Sequence, residues 1–587
     1  MKKRNLLAPL LVCAGGLLLT APLLLYGAPP VGDMVFHAMW HTNFSTQLLA
    51  GDLYPRWLLD MNGGLGSPVF FFYAPLPYYI TALLAPFLHG GTYGLAHLGA
   101  SLSLALVASG LTAYLWLGET TGRASAAAAA AVVYMLAPYH LGVDVYTRGA
   151  FAEAWAFVWM PLVLYFVRRL LTAGDAFPLA LPGLALGYAA LVATHLPTTL
   201  IFSLVPPCYA LFGAGAPTQR KRVLLLTVGG MSLGIGLACI YLLPALATQE
   251  FVSLGDLLPE LYHQRWPRLS NLNRAELDGR ITLSVLTTAL LIACAATLAW
   301  SGGTDDAAVG DDERRPGKRE HTFWIVVSLG CLLLMTPASN FVWRLVKPLQ
   351  SIQFPWRFNA VLCVAAAALV AQAARALQRP RARGALDVAT AAVALAVVLY
   401  WIFFTHSIVG RAHPQWRGEQ ATIDADFVKR QAQMRDAPEY RPADAASTQA
   451  VAFDELMSRI CRAGGQPAKV CTTAGEGEVA VERWTPGEIE LRVATASGVA
   501  FNVSQFYYPG WAAYLDGRRH PLEPSRPDGL LHLDVPTGTH RVVLRLRHTA
   551  AVDAGILVSA ASSILLVSWL AAHAWYGRRR KRAAPAG

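Results

Sequence analysis

A dozen long apolar runs constrain what this chain can become. They fall near residues 6–26, 93–117, 124–141, 151–170, 177–194, 198–213, 223–246, 281–300, 322–338, 356–377, 385–405 and 554–576. Each comes near the roughly 20 residues that a helix needs to cross a hydrocarbon core of about 30 Å. Lipid offers no partner to a bare amide, so runs of this kind must close their hydrogen bonds within a helix. The balance of residues agrees: 55% are hydrophobic and 14% charged, where soluble domains carry about 25% charged residues. The expected fold is an α-helical polytopic membrane protein with about twelve spans.

Charge then sets the orientation. The formal net charge of +11 would suit a nucleic acid, but the lysines and arginines stand in short clusters between apolar runs, as topology demands. No nucleic-acid partner is expected. The first run follows MKKR, exceeds a signal-peptide core of about 7–15 residues and has no A-x-A site, so it reads as a retained span with a cytoplasmic N-terminus. Residues 68–88 are long enough to cross but are interrupted by Pro68, Pro75 and Pro77. If they do not cross, Arg168-Arg169, Arg220 to Arg222, the loop 301–321, Arg379 to Arg383 and the tail Arg578 to Arg582 all face the cytoplasm. If they do cross, every cluster flips outward, against the positive-inside rule. A re-entrant or surface-lying 68–88 follows.

Three regions result: a transmembrane domain over 1–405, whose first outer loop is 27–92, an outer block 406–553, and a last span with a basic cytoplasmic tail over 554–587. The outer block reads as α+β. Helices are expected at Asp424–Arg435 and Thr448–Cys461, then strands at Glu488–Val493, Val499–Val503 and Arg541–Arg547, with Asp516-Gly517 as a hairpin turn. Six of the eight cysteines lie in apolar runs. The other two, Cys461 and Cys471, would meet an oxidising compartment and are expected to form a disulfide. No zinc-type cysteine and histidine spacing occurs.

Polar side chains that topology places on the outer side carry the chemistry. In GDMVFHAMWH, Asp33, His37 and His41 are four residues apart and would share one face of a helix begun near Pro30. Gly51 offers a stop, Arg56-Trp57 a polar turn, Asn62 to Gly66 a glycine-rich loop, and Phe70–Tyr79 an aromatic run. Arg148 and Glu153 in TRGAFAEAW, His195 at the outer end of the fifth span and Arg357 in FPWRF lie on the same side. The catalytic candidates are Asp33, His37 and Glu153, and the substrate-binding candidates are Arg56, Arg148, His195 and Arg357. A carboxylate here can take a proton from an acceptor hydroxyl, and arginine forks can hold a phosphate. Each has a plainer alternative. Asp33 can cap its helix, His37 can be a structural imidazole, and Glu153 can simply pair with Arg148. Asp33 with His37 can bind a divalent metal. The aromatic run suits either a membrane-interface anchor or a sugar-stacking surface.

An acid in the first outer loop of a polytopic chain with a large outer domain resembles the GT-C superfamily of polyprenyl-phosphate-dependent glycosyltransferases. More narrowly, GDMVFH, GDLYPRW, GLGSPVFFFYAPLPYY and RGAFAEAWAF resemble bacterial membrane proteins labelled 6-pyruvoyl-tetrahydropterin synthase-related. FYYPGWAAYLDGR and DGLLHLDVPTGTHRVVLRL resemble the C-terminal part of YfhO-type membrane proteins. The resemblance implies a GT-C fold in a bacterial inner membrane with a periplasmic C-terminal domain. It implies inverting transfer of a sugar from an undecaprenyl-phosphate donor to a glycan, lipid or protein, with Asp33 in the position of the catalytic acid. The pterin label implies no activity, since a zinc-binding histidine cluster paired with a nucleophilic cysteine is missing. The paired acidic motif of some GT-C members is also missing, which leaves the use of a divalent metal open. A transporter or flippase of an anionic or lipid-linked substrate is the competing class. Its marks are charges deep in several spans and matching halves, whereas here the charges gather on one face.

Overall fold

The computed structural model describes residues 6–88, 94–172, 179–252, 265–273, 277–301, 311–378, 384–418, 440–443, 462–463 and 466–583. Eight helices in these stretches are long and apolar enough to cross a membrane, and ten spans result if each of two bent pairs is one. The bent pairs are Pro217–Leu237 with Cys239–Ala247, at 73°, and Lys318–Leu334 with Pro337–Leu345, at 86°. The expected spans at 6–26 and 177–194 form shorter apolar helices, Leu7–Leu19 and Ala180–Val192. The first stops at Thr20, whose hydroxyl bonds back to the Gly16 carbonyl, and Pro22 then starts a separate helix, Ala21–Tyr26.

Residues 68–88 form no helix long enough to cross. Val69–Phe72 is a single turn, Tyr73 is extended, and Leu76–Leu84 leads into a last turn at Phe87. At 1.5 Å per residue that second piece reaches about 18 Å, well short of a hydrocarbon core. Its start is tied sideways, Leu76 N–H donating to the Ala193 carbonyl at 3.0 Å.

Segments expected on opposite sides of a membrane gather at opposite ends of the bundle. At one end Arg169 pairs with Glu119 at 2.9 Å, Arg168 with Glu320 at 3.5 Å, and Tyr209 donates to Glu320 at 2.7 Å. At the other, Ala28 N–H reaches the Leu95 carbonyl at 2.8 Å and Arg280 reaches Thr147 at 2.9 Å. The bend at Ala238 would leave backbone groups unpaired. The closing helix Ala550–Ala583 supplies the partner: Ser559 accepts from Ile240 N–H at 2.8 Å and donates to the Leu237 carbonyl at 3.0 Å.

The C-terminal domain is a sandwich of two antiparallel sheets. One orders its strands Val470–Gly475, Val499–Phe506, Leu530–Val535 and Glu523–Pro524; the other orders Glu478–Thr485, Glu488–Thr495, Gly538–Leu546, Trp511–Leu515 and Arg518–His520. Alternate residues turn inward, as a two-residue period requires. Ile489, Leu491 and Val493 of one sheet bury against Phe501, Val503, Leu531 and Leu533 of the other. The helix expected to end near 405 runs on to Gly418, and the helices expected at 424–435 and 448–461 lie outside the described residues. The glycine-rich loop docks the sandwich on the bundle. Trp57 Nε1 donates to Gln505 at 2.8 Å, Phe506 N–H to the Leu65 carbonyl at 2.7 Å, and Phe71 packs on Tyr508. At Gly66, φ is +81° and a Cβ would stand 2.5 Å from the Trp57 indole, so no other residue fits.

Candidate functional site

Two glycines bring the first outer loop onto the mouth of the helix that ends at Arg148. Gly32 has φ +54° and Gly149 has φ +63°, and a Cβ on either would stand within 2.5 Å of the other segment's backbone. Their absent side chains let Asp33 N–H donate to the Arg148 carbonyl at 2.7 Å. Asp33 thereby opens the helix Met34–Leu49, which closes before Gly51 at φ +104°. Its carboxylate is exposed and makes no capping bond to that helix. The capping alternative therefore finds no support in the geometry.

Beneath it lies a buried cluster of two carboxylates and two arginines. Arg148 Nη1 lies 2.6 Å from Asp144 Oδ1 and 2.8 Å from Glu153 Oε2, and it also donates to the Tyr139 hydroxyl at 3.3 Å. Tyr139 in turn donates to Glu153 Oε1 at 2.7 Å. Arg357 places Nε 3.7 Å from Glu153 Oε2 and donates from Nη1 to the Ile352 carbonyl at 2.8 Å. The two guanidiniums also rest on rings, Arg148 on Trp356 at 4.5 Å and Arg357 on Phe354 at 5.3 Å. No side chain of the four charged residues is more than 9% exposed. Two positive and two negative charges can share so dry a place only because each lies against its opposite.

The structure brings Asp33, His37, Arg148, Glu153, His195 and Arg357 to one end of the bundle and keeps Arg56 apart. His37 is buried, its Nδ1 2.6 Å from the Tyr78 hydroxyl, with Trp40, Tyr73 and Phe151 around its ring. Burial, then His195 and then Arg148, push its pKa down to about 3, so the imidazole is neutral at physiological pH. His195 caps the helix Leu196–Phe202, with Nδ1 accepting from Thr198 N–H at 3.4 Å, and lies within electrostatic reach of Glu153, Arg357 and Arg148. His41 leaves the expected face: its Nε2 meets His97 Nδ1 at 3.4 Å. Arg56 donates to the Ile240 carbonyl at 3.2 Å and stacks 3.8 Å over Tyr54. It braces the helix bend, since the turn after Gly51 carries it there, and it does not face the cluster. Cys471 is disulfide-bonded; Cys461 lies outside the described residues.

Asp144 and Tyr139 were not among the expected site residues. The apolar run ends near 141, which leaves the polar residues after it to an outer loop, whereas Pro138–Arg148 continues as a wide, π-type helix with both side chains inside. The four-residue spacing of Asp144 and Arg148 was the available signal. Among the described residues no group of three or more His, Cys, Asp or Glu side chains is arranged to hold a metal ion.

Fold and site define a polytopic helical membrane protein with a β-sandwich at the end of the bundle that holds a buried acid–arginine cluster. The chain belongs to the 6-pyruvoyl-tetrahydropterin synthase related domain family of membrane proteins, whose sequence profile matches residues 70–417. That stretch contains Arg148, Glu153, His195 and Arg357, but not Asp33 or His37. No curated protein matches the chain. Among solved structures it is similar to the arabinofuranosyltransferase AftD from mycobacteria, at 15% identity and a TM-score of 0.45, over 68% of this chain and 26% of that one. It is also similar to the oligosaccharyltransferase of Archaeoglobus fulgidus in its apo form, at 14% identity and a TM-score of 0.40, over 79% of this chain and 59% of that one. The chain thus spans about a quarter of the first and somewhat over half of the second.

Proposed function

We propose that this protein is a GT-C-type glycosyltransferase of a bacterial inner membrane. It moves a sugar from a polyprenyl-phosphate donor to a hydroxyl of a glycan, lipid or protein on the periplasmic face. The proposed layout keeps the transmembrane domain, the outer domain on the periplasmic side and a Cys461–Cys471 bond. The observation that carries the reading is the contrast between the carboxylates. Asp144 and Glu153 are buried against arginines, whereas Asp33 is exposed beside Arg148, with its carboxylate not engaged in capping its helix. A carboxylate in that state can take a proton, and the two held arginines are fixed positive charge ready for a phosphate.

In this reading Asp33 is the general base. Glu153, first a candidate base, is instead the counter-ion that fixes both guanidiniums, because its two oxygens are engaged by Tyr139, Arg148 and Arg357. Arg148 makes its three contacts through Nη1, which leaves the rest of its fork for an anion. His37, neutral and bonded to Tyr78, shapes the pocket rather than moving a proton. A donor with a polyprenyl tail suits a site at the end of an apolar bundle, where the tail stays in lipid and the phosphate meets the arginines. Lipid extracts of a strain lacking the protein should contain an accumulated sugar-linked polyprenyl phosphate. An unchanged pool of such lipids would overturn the reading.

A further inference from the structure

The tyrosines around this site differ in what their hydroxyls do. Tyr78 is bonded to His37 at 2.6 Å, Tyr139 to Glu153 at 2.7 Å, and Tyr241 to the Phe72 carbonyl at 2.7 Å. Tyr73 lies beside Tyr78 and forms no such bond among the described residues. Its ring is nonetheless held firmly, 4.8 Å from Trp40, 5.8 Å from His37, 6.0 Å from Tyr78 and 6.1 Å from Tyr440. It follows the short helix Val69–Phe72 with an extended ψ of 135°, which ends that helix. Asp33, Arg357, Glu153 and Arg148 all lie within electrostatic reach of its hydroxyl. A fixed ring whose hydroxyl has no protein partner, set among the charges of a site, has the form of a ligand-binding donor.

We infer that Tyr73 hydrogen-bonds the phosphate of the lipid-linked donor through its hydroxyl and steadies that phosphate as it departs. This rests on the glycosyltransferase reading. In the step, an acceptor hydroxyl oxygen attacks the anomeric carbon on the face opposite the phosphate, and the bond from that carbon to the phosphate oxygen breaks. The electron pair leaves with the phosphate, giving a polyprenyl phosphate with one more negative charge, and the acceptor's proton passes to Asp33. Tyr73 keeps its own proton and only donates. Burial, the largest influence, and Asp33 both push its pKa above the ordinary phenol value, so it stays a donor at physiological pH. Because the phosphate's charge grows during the step, the donated bond is stronger late than early.

Binding of polyprenyl phosphate without a sugar isolates this contact. The full-length protein in lipid nanodiscs is titrated with polyprenyl phosphate and, separately, with the neutral polyprenol of the same length. Tyr73→Phe keeps the ring and its contacts. It should bind the phosphate about tenfold or more weakly, as loss of a hydrogen bond to a charged group predicts, and the polyprenol unchanged. Tyr79→Phe is the control, because that hydroxyl serves the Leu53 carbonyl at 2.7 Å; it should leave both affinities unaltered. If Tyr73→Phe binds the phosphate normally, or loses phosphate and polyprenol alike, the role assigned to Tyr73 is overturned and the glycosyltransferase reading stands. If the unaltered protein does not bind polyprenyl phosphate at all, both are overturned.

Discussion

Replacing Glu153 by Gln tests whether the buried cluster is held together by charge. The variant keeps the shape of the side chain and one oxygen, which can still accept from Arg148 while the amide nitrogen faces the Tyr139 hydroxyl, and it removes one negative charge. Glu153 Oε2 stands 2.8 Å from Arg148 Nη1 and 3.7 Å from Arg357 Nε. At an effective dielectric constant of about 20, two such contacts give a gross attraction of about 10 kcal/mol. Desolvation already offsets more than half of that in the native protein, and measured losses for breaking one buried pair centre on about 3–5 kcal/mol. Glu153→Gln should therefore destabilise the bundle by about that much. Unfolding by SDS in mixed micelles, followed by tryptophan fluorescence, reads it. Adding Arg357→Met restores neutrality, so the double variant should lose less than the sum of the two single losses, by about 1–3 kcal/mol. A Glu153→Gln loss below about 1 kcal/mol, or strict additivity in the double variant, would refute an electrostatic cluster.

Gly32→Ala should cost about 2 kcal/mol or more in the same titration, because φ is +54° and the new Cβ would lie 2.1 Å from the Arg148 carbonyl oxygen. Gly122→Ala, at φ +66° with open space around it, should cost only the backbone strain of about 1–2 kcal/mol. Thiol labelling of the denatured, unreduced protein should find only the six cysteines that are free among the described residues, while labelling of all eight would exclude the disulfide. The turn pair of Asp516 and His540 gives the sandwich a pH window. A side-chain hydrogen bond to His540 lowers the Asp516 pKa from 3.8, so its contribution is present above that value and fades as pH falls through the lowered one. The Asp516 bond raises the His540 pKa from 6.5, so its contribution is complete below 6.5 and fades as pH rises through the raised value. Amide hydrogen exchange at Arg541, whose N–H donates to Asp516, should be slowest between about pH 4 and 6.5 once corrected for intrinsic rates.

Features carried by local chemistry were legible in the sequence. Gly51 ends the helix that Asp33 opens, and the prolines of 68–88 keep that stretch from forming a long helix. The strands over 488–495, 499–506 and 538–546 follow from their two-residue alternation. What escaped depends on contacts far apart in the chain. Arg56 looked like a site cation, and only the position of Ile240 shows that it braces a bend. The glycine-rich loop at 62–66 gave no sign of docking on Gln505 and Phe506, because a loop's partner is not written in its own residues. Asp144 was hidden for a local reason: an apolar run that ends in PYHLGVDVYTR resembles a span giving way to a loop. A wider helical winding buries its polar side chains instead, where Arg148 can pair with them.

The central claim, that Asp33 takes the acceptor's proton, has its most direct test in Asp33→Asn. The Asp33 carboxylate makes no capping bond and Asn keeps nearly the same shape, so the fold should be unchanged. It cannot accept the proton, and loss of general-base catalysis slows turnover by about 10²–10⁴. The measurement is the rate of sugar transfer from polyprenyl-phosphate donor by the folded Asn variant in nanodiscs. Donor affinity is followed in parallel, and chelator is added to one series to test for a divalent metal. The account predicts a hundredfold or greater fall in turnover with donor binding retained. Turnover equal to that of the unaltered protein would contradict it and remove Asp33 from the chemistry.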